Sequence, residues 1–308
     1  MTRVLPVSAI PESLWRDSTL FLPAQLASAY LSELEDRDLL ESAKKGTSDK
    51  EIHGGIDDAA TLKHFSFRFA VSVGRVEFVA IAPDEKLSEV SDALMSTFSE
   101  GHVALLDIPC GTGASLGAIL STVLTLRKAK VMPTLPLSIS VVAGDASPKA
   151  LEIYDSMISR LQPELQLQAI AVSVVLELWD ATRSDHTARL VDQWFALSTG
   201  AEEYVVCISN FNGALIGAGI LDSFTPCFEQ ILGRLYDKKS TVLWVEPETA
   251  SAREKLFPRI AKFLKTRIQW FTSTSKVEGP ISATYQTQSP LDAYVHGSGV
   301  QVQRFERT

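Results

Sequence analysis

The sequence predicts a doubly wound α/β protein: a mostly parallel sheet of seven strands, covered by helices on both faces and preceded by an N-terminal extension. Three observations lead to this prediction. Apolar runs alternate with helical patterns over residues 101–308. The first of these runs, VALLDI, breaks directly into the glycine-bearing turn PCGTG. Three successive runs also end in or beside an aspartate, at Asp107, Asp145 and Asp180.

Chain length and net charge narrow the domain organisation and the functions that the sequence predicts. The chain has 308 residues, more than the roughly 100 to 200 of a typical domain. We therefore expect residues 1–100 to form a helical or hairpin extension, which covers one edge of the core or, as the alternative, caps a substrate or a protein partner, and residues 101–308 to form the α/β domain. A formal net charge of -8 disfavours extended binding to nucleic-acid phosphates.

Membrane and metal functions are also disfavoured by the sequence. No apolar stretch is long enough to span a bilayer, and the first residues lack a sustained apolar core with a clear cleavage site. The prediction is a cytoplasmic protein without membrane association. The three cysteines and five histidines show no ligand spacing, so we expect no metal site.

The first strand and its turn carry the strongest functional signal. Residues 103–108 are typical of a buried parallel strand, because they are apolar without alternation. Gly111 and Gly113 follow where a missing Cβ permits positive φ and lets backbone N–H groups approach a ligand. The helical pattern of residues 114–126 begins at the same place. The turn predicts a site for a polar or anionic group, although glycine turns also follow strands for purely structural reasons.

The next two apolar runs repeat this arrangement. Residues 137–144 lead into Asp145, after which Ser147 is a candidate helix cap and Pro148 suits a first helical turn. A carboxylate at position 145 can accept both hydroxyls of a ribose. Residues 169–178 lead into Trp179 and Asp180, where an aromatic face and an acceptor can meet an adenine ring and its amine. Each aspartate taken alone is equally typical of a helix cap.

The remaining alternation completes the predicted sheet. Four further strands are predicted at residues 204–210, 241–245, 267–273 and 299–305, with helices at 220–236 and 251–265. In such a sheet, ligands bind at the carboxyl ends of the strands.

These motifs resemble those of the class I S-adenosylmethionine-dependent methyltransferases, which have counterparts of LDIPCGTGAS, GDASPKAL and WDAT in this order. The resemblance covers residues 101–271 and implies a Rossmann-like methyltransferase fold, with the last strand inserted antiparallel beside the fifth. It implies S-adenosylmethionine as cofactor, with its methionine part along the first motif, its ribose at the second and its adenine at the third. The implied cofactor residues are Asp107, Pro109, Cys110, Gly111, Gly113, Asp145, Ala146, Asp180, Ala181 and Asn210.

One departure and one rival accompany the resemblance. Pro109 stands where the family usually has its first glycine, which removes an N–H and stiffens the turn. Gly111, Gly113 and Gly117 also give a spacing compatible with a nicotinamide dinucleotide, and hence with an oxidoreductase. Asp107 argues against that rival, because an acid suits a cationic sulfonium cofactor and lies poorly near a pyrophosphate.

Catalytic residues are weakly marked, because methyl transfer depends on alignment and exclusion of water more than on an acid or base. The candidates are Asn210 and Asn212 in SNFNG and Glu246 in WVEPET, with Glu248 beside it. All four are equally typical of turns and helix starts. SNFN lacks the N-P-P-aromatic motif of amino-directed nucleic-acid methyltransferases, so the unidentified acceptor is expected to be a small molecule or protein. A non-catalytic sensor or complex subunit that binds the cofactor is the alternative.

The N-terminal extension and one later segment are predicted from local pattern alone. Residues 64–83 alternate in the manner of a hairpin with its turn at Gly74 and Arg75, although a helix over residues 57–69 is the alternative. Residues 46–58 are predicted to be a loop. Residues 275–296, rich in polar side chains, are predicted to be a loop that closes over the acceptor.

Overall fold

The structure, a computed structural model, describes residues 3–47, 52, 55–267, 275–291 and 294–307. Within these ranges the helices are α1 (Ala24–Asp36), α2 (Leu40–Lys45), α3 (Asp58–Ile81), α4 (Ser88–Thr97), α5 (Ala114–Lys128), α6 (Pro148–Leu167), α7 (Ser184–Leu197), α8 (Leu221–Arg234) and α9 (Phe257–Arg267). The strands are β1 (Trp15–Arg16), β2 (Thr19–Phe21), β3 (Gly101–Asp107), β4 (Leu137–Asp145), β5 (Ile170–Leu178), β6 (Glu203–Ser209), β7 (Ser240–Pro247), β8 (Ser275–Gln288) and β9 (Val295–Arg307).

All nine strands form one sheet in the order β1-β2-β8-β9-β7-β6-β3-β4-β5. Strands β7, β6, β3, β4 and β5 are parallel neighbours. Strand β9 pairs antiparallel with both β7 and β8, so the predicted antiparallel insertion beside the fifth parallel strand is confirmed. The α/β class and the mostly parallel sheet are confirmed as well.

The strand count of seven is wrong, because the N-terminal extension contributes two strands. Strand β2 pairs parallel with β8, with Thr19 opposite Gln286, and β1 pairs antiparallel with β2. The segment before β3 is therefore hydrogen-bonded into the sheet. Sequence alone did not indicate these strands, because two and three residues are too few to show a period.

The sheet has a separate apolar core on each face. Side chains alternate along each strand, so Leu105 and Val141 pack under α1, α3, α5 and α6, whereas Leu106 and Val142 pack under α7, α8 and α9. Of the helices in the described ranges, none combines the length and apolar character needed to cross a membrane.

The predicted hairpin at residues 64–83 is wrong: this segment is the long helix α3. Asp57 caps it, because its carboxylate accepts the backbone N–H of Ala60 at 2.9 Å. Phe65, Phe69 and Val73 recur at helical spacing on its buried face. The alternative helix at residues 57–69 is confirmed for that part, and it continues to Ile81.

The predicted loop at residues 275–296 is also wrong, because most of it is strand. Strand β8 pairs with β9 along nearly its whole length, with a register irregularity between Glu278 and Ile281. The strand predicted at residues 267–273 lies outside the described residues apart from Arg267, which ends α9. The predicted loop at 46–58 is only partly described: Gly46 follows α2 and Asp57 precedes α3.

Candidate functional site

The predicted site residues gather at the carboxyl edge of the parallel strands. Asp107 ends β3, Asp145 ends β4, and Asp180 follows β5 by two residues. Asn210 directly follows β6, and Glu246 is near the end of β7. Because these strands run parallel and are neighbours, their ends bring the five side chains to one edge of the sheet.

The turn after β3 leaves backbone open to a ligand. Gly111 has φ +50° and Gly113 has φ +88°. A Cβ built on Gly111 meets nothing within 4 Å, whereas one on Gly113 lies 3.2 Å from the Tyr154 ring. Pro109 and Cys110 form the first half of the turn, which the Cys110 N–H ties to β4 through the carbonyl of Gly144 at 2.9 Å. Space for a ligand therefore lies over Gly111.

Asp107 lies beneath this turn and is fully buried. The Tyr154 hydroxyl donates to its Oδ2 at 3.3 Å, and its Oδ1 has no hydrogen-bond partner among the described residues. Burial raises the pKa of Asp107 well above its usual range, the tyrosine hydrogen bond opposes that rise, and the charge of Asp145 adds to it. The site thus contains a buried carboxyl group with an unused acceptor.

Asp145 joins the first two motifs. One of its carboxylate oxygens accepts the Gly111 N–H and the other accepts the Ser147 N–H, each at 2.9 Å. Burial raises its pKa, and the backbone hydrogen bonds of Ser147, Gly111 and Ala146 oppose that rise. Each oxygen keeps a second lone pair, so the carboxylate can still accept hydroxyl groups. The sequence-predicted helix cap is also present, because Ser147 Oγ accepts the Ala150 N–H at 3.1 Å.

In the third motif, Trp179 is not accessible in the way that the sequence predicted, whereas Asp180 is. Asp180 Oδ1 accepts the N–H and the hydroxyl of Thr182, at 2.9 and 2.7 Å, and these hydrogen bonds lower the pKa of Asp180. Trp179 is 1% exposed, and its Nε1 donates to Thr187 at 3.0 Å. The expectation that the Trp179 face meets an adenine ring is therefore wrong. Ala181 is buried beside it.

The catalytic candidates are held by hydrogen bonds within the protein. Asn210 has φ +54°, and its Oδ1 accepts from Arg75 at 2.7 Å. Glu246 Oε1 accepts the N–H groups of Phe211 and Asn212, at 2.9 and 3.2 Å, and the Trp244 Nε1–H at 2.8 Å. Glu246 therefore positions the loop after β6, and its Oε2 is buried without a partner among the described residues.

Burial raises the pKa of Glu246 to about 7, against the three hydrogen bonds that lower it. A carboxyl group whose pKa is raised from 4.5 in this way stabilises the fold fully below pH 4.5. That stabilisation is lost as the pH rises to about 7. Glu246→Gln keeps the Oε1 acceptor and removes the titration. We expect the free energy of unfolding of wild type to fall by on the order of 3 kcal/mol relative to the variant across this window.

Urea unfolding at pH 5, 6, 7 and 8 measures this difference. The exposed Glu229→Gln on α8 is the matched control and should follow the wild-type curve. Parallel pH curves for wild type and Glu246→Gln would contradict the prediction.

Helix α3 runs across the same edge of the sheet. Near its start, the Thr61 hydroxyl contacts the Ser147 hydroxyl at 2.9 Å. Further on, Arg75 reaches Asn210, and the Phe78 ring then stacks on Tyr285 of β8, with centroids 4.3 Å apart. Sequence reasoning missed Arg75 and Phe78 because it treated this segment as a hairpin. The Asp57 cap and the helical spacing of the buried phenylalanines are the signals that would have predicted the helix that carries both residues.

A cavity of about 680 Å³ lies at this edge, beyond the end of β7. The end of α3, strand β1 and the neighbouring parts of β8 and β9 line it, and it is open to solvent. Glu248, a sequence candidate, lines this cavity, whereas none of the three strand-end aspartates does. The lining residues are Trp15, Ser18, Phe78, Pro83, Asp84, Glu248, Thr284, Tyr285, Gln286, Gly297, Ser298 and Gly299.

No protein-family model matches the sequence, and no curated protein matches it. Among solved structures, a loganic acid methyltransferase with SAH is 8% identical and has a TM-score of 0.39, with 84% of this chain and 99% of that chain covered. A protein from work on the conversion of a disulfide bond into a thioacetal group during echinomycin biosynthesis is 13% identical and has a TM-score of 0.33, with 70% and 79% covered.

A modification subunit of a proposed type I restriction enzyme from Vibrio vulnificus YJ016 is 13% identical, with a TM-score of 0.37. The match covers 94% of this chain and 51% of that chain. All of these TM-scores are low, so the similarities assign neither a substrate nor a residue role to this chain.

Proposed function

We propose that the chain binds S-adenosylmethionine at the carboxyl edge of β3, β4 and β5 and transfers its methyl group to an acceptor. The observation that carries this proposal is the pairing of open space over Gly111 with the unused acceptor of Asp107 beneath the turn. A buried carboxyl group beside a ligand site favours a cationic ligand, because a cation stabilises its ionised form.

The residues of this edge fit such a cofactor. The Gly111–Gly113 turn and Asp107 would hold its cationic methionine part. Asp145, with a free lone pair on each oxygen, would accept the ribose hydroxyls, and Asp180 would accept from the adenine amine. Ala146 and Ala181 would border the ribose and the adenine. When bound, the cofactor supplies a methyl group activated by a sulfonium.

The contribution of the chain to catalysis is alignment and exclusion of water. Helix α3 lies across the edge and fixes the loop after β6 through Arg75 and Asn210. Glu246 fixes the same loop by accepting the N–H groups of Phe211 and Asn212. Both groups therefore act as positioning residues in this proposal, and the acceptor would be a small molecule or a protein.

One observation favours a second candidate, a protein that binds the cofactor without transferring its methyl group. The side chains of Asn210 and Glu246 are hydrogen-bonded within the protein, and Asn212 Oδ1 accepts from Ser251 at 3.4 Å. A sensor or a subunit of a complex needs no free side chain at this place.

Calorimetric titration with S-adenosylmethionine, S-adenosylhomocysteine and NAD tests the proposal. We expect micromolar binding of the first two and none of NAD. Asp145→Ala should weaken binding by at least tenfold, because it removes the ribose acceptor and leaves the Gly111 N–H without its partner. The exposed Asp155→Ala on α6 is the control. Binding of NAD alone, or of none of the three, would overturn the proposal; binding without turnover of any acceptor would favour the sensor.

A further inference from the structure

The cavity beyond β7 is lined by two carboxylates and by no cationic side chain. Asp84 and Glu248 both line it, and none of its lining residues is lysine, arginine or histidine. Among the described ion pairs, neither carboxylate takes part in one. Asp84 Oδ1 accepts the Lys86 N–H at 3.0 Å, which leaves its other oxygen available. The charge of the cavity therefore favours a cationic ligand.

Three aromatic residues also line the cavity. Phe78 and Tyr285 are stacked, with an interplanar angle of 12°, and Trp15 lies 5.9 Å from Phe78. Phe78 and Tyr285 are only 2% and 5% exposed, so the half-buried ring of Trp15 and the edges of the other two rings offer the apolar surface for a flat hydrocarbon body. A volume of about 680 Å³ is within the usual range for a small-molecule site.

Strand β9 holds the Glu248 side chain against the cavity edge. A Cβ built on Gly299 would lie 2.8 Å from Glu248 Cβ and 2.9 Å from its Oε2, so the glycine leaves the space in which this carboxylate lies. The Glu248 N–H also donates to the Gly299 carbonyl at 3.2 Å. Gly299 therefore positions both the backbone and the side chain of Glu248.

The cavity lies on the side of the proposed cofactor site away from β5. Glu248 follows β7, which is two strands from β3 in the sheet, or about 10 Å at the usual strand spacing, whereas the lining residues of β9 and β8 are three and four strands away, or about 15 to 20 Å. Helix α3 links the two places, from Ser147 at the β4 end to Tyr285 at the cavity. A bound molecule that fills the cavity can therefore extend one end toward the turn after β3.

We infer that this cavity is the acceptor site and that it takes an amine with a flat apolar body. This inference rests on the proposed function. The aromatic surface binds the body, and Asp84 and Glu248 bind the ammonium group. For transfer, the ammonium nitrogen gives up one proton to Glu248, and Glu248 passes that proton to water. Its lone pair forms the bond to the methyl carbon while the bond from that carbon to sulfur breaks, and the electron pair of the broken bond returns to sulfur.

Three indoles that share one body and differ in charge test this inference: tryptamine, indole-3-ethanol and indole-3-acetate. In titrations without cofactor, we expect tryptamine to bind at least tenfold more tightly than indole-3-ethanol, and indole-3-acetate not to bind. Glu248→Gln should reduce the affinity for tryptamine to near that for indole-3-ethanol. Asp84→Asn, which keeps the acceptor for the Lys86 N–H, should act in the same direction.

The exposed Glu254→Gln is the matched control and should bind tryptamine as wild type does. Thermal unfolding of each variant distinguishes loss of the site from loss of the fold. With S-adenosylmethionine present, tryptamine should yield S-adenosylhomocysteine and N-methyltryptamine.

Two outcomes separate this inference from the proposed function. Binding of S-adenosylmethionine, with no preference among the indoles or no binding of any, would leave the proposed function and overturn the inference. Tryptamine binding that depends on Glu248, without binding of S-adenosylmethionine, would overturn the proposed function and with it the acceptor role of the cavity.

Discussion

Asp107→Asn should weaken the binding of S-adenosylmethionine about 100-fold, since truncating one partner of a buried charge pair costs about 2 to 5 kcal/mol. The variant keeps the shape of the side chain and the acceptor for the Tyr154 hydroxyl. It replaces the other oxygen, Oδ1, with an amide NH2 and so removes the negative charge and the unused acceptor that would face the cationic methionine part of the cofactor. Calorimetric titration gives the affinity directly.

The same substitution should abolish the proton release that we expect when the cofactor binds to wild type. Burial raises the pKa of Asp107, so a cation that binds beside it lowers that pKa and expels the proton. Affinity should therefore increase with pH below the raised pKa. Titrations in phosphate and in Tris, whose ionisation enthalpies differ, should give different binding enthalpies for wild type, and this difference should disappear in Asp107→Asn.

The exposed Asp155→Asn, on the helix that carries Tyr154, is the control for both effects. Equal affinity and equal buffer dependence in wild type and Asp107→Asn would show that Asp107 does not contact the cationic part of the ligand.

Arg304→Met should destabilise the fold by about 3 kcal/mol, because removing one partner of a buried ion pair leaves the other charge poorly compensated. Arg304 is 2% exposed and lies opposite Glu278 in the register of β8 and β9. Its Nε donates to Glu278 Oε2 at 2.9 Å, and it also pairs with Glu306. After the substitution, Lys276 remains near Glu278 but is mostly exposed.

The double variant Arg304→Met/Glu278→Met should recover most of the lost stability, since apolar pairs often replace buried ion pairs without cost. Burial already raises the pKa of Glu278. Arg304→Met should therefore be less destabilised at pH 5 than at pH 8, because Glu278 takes up a proton at the lower pH and no longer carries an uncompensated charge. Urea unfolding measures all of these differences.

Arg259→Met is the surface control. Arg259 pairs with Asp222 at 2.8 Å, but both side chains are more than half exposed, so the change should cost under about 1 kcal/mol. Equal stability of the single and double variants at Arg304 would contradict the argument.

The parallel strands were predictable because their residues satisfy one strong condition. A strand that is covered on both faces favours apolar side chains at every position, so runs such as residues 103–106 stand out without any knowledge of neighbours. Their ends are equally clear, because Asp107 and Asp145 interrupt the apolar residues. The edge that carries the candidate site follows from these two facts.

Helix α3 was not predictable in the same way. Phe65, Phe67 and Phe69 alternate like a strand, and valines and phenylalanines favour strands intrinsically. Near its end the helix is buried on nearly every side, from Ser72 to Ile81, because it lies between the sheet and other helices. A helix buried all round loses the one-sided pattern that reveals a helix in sequence.

Strand β8 was obscured by its composition. Ile281, Ala283 and Tyr285 alternate with polar residues, but Gly279 and Pro280 interrupt the pattern at the register irregularity. Neither Arg75 nor Asp84 could have been placed near the site from sequence, because their positions depend on where α3 crosses the sheet.

The pairing of β2 with β8 has a consequence for synthesis on the ribosome. Residues 19–21 are made early, yet the strand that satisfies their hydrogen bonds ends at Gln288. At an elongation rate of about 5 to 20 residues per second, the interval is roughly 15 to 50 s. Throughout that interval the β2 backbone has no partner from β8, and the complete sheet forms only after both β8 and β9 have left the exit tunnel.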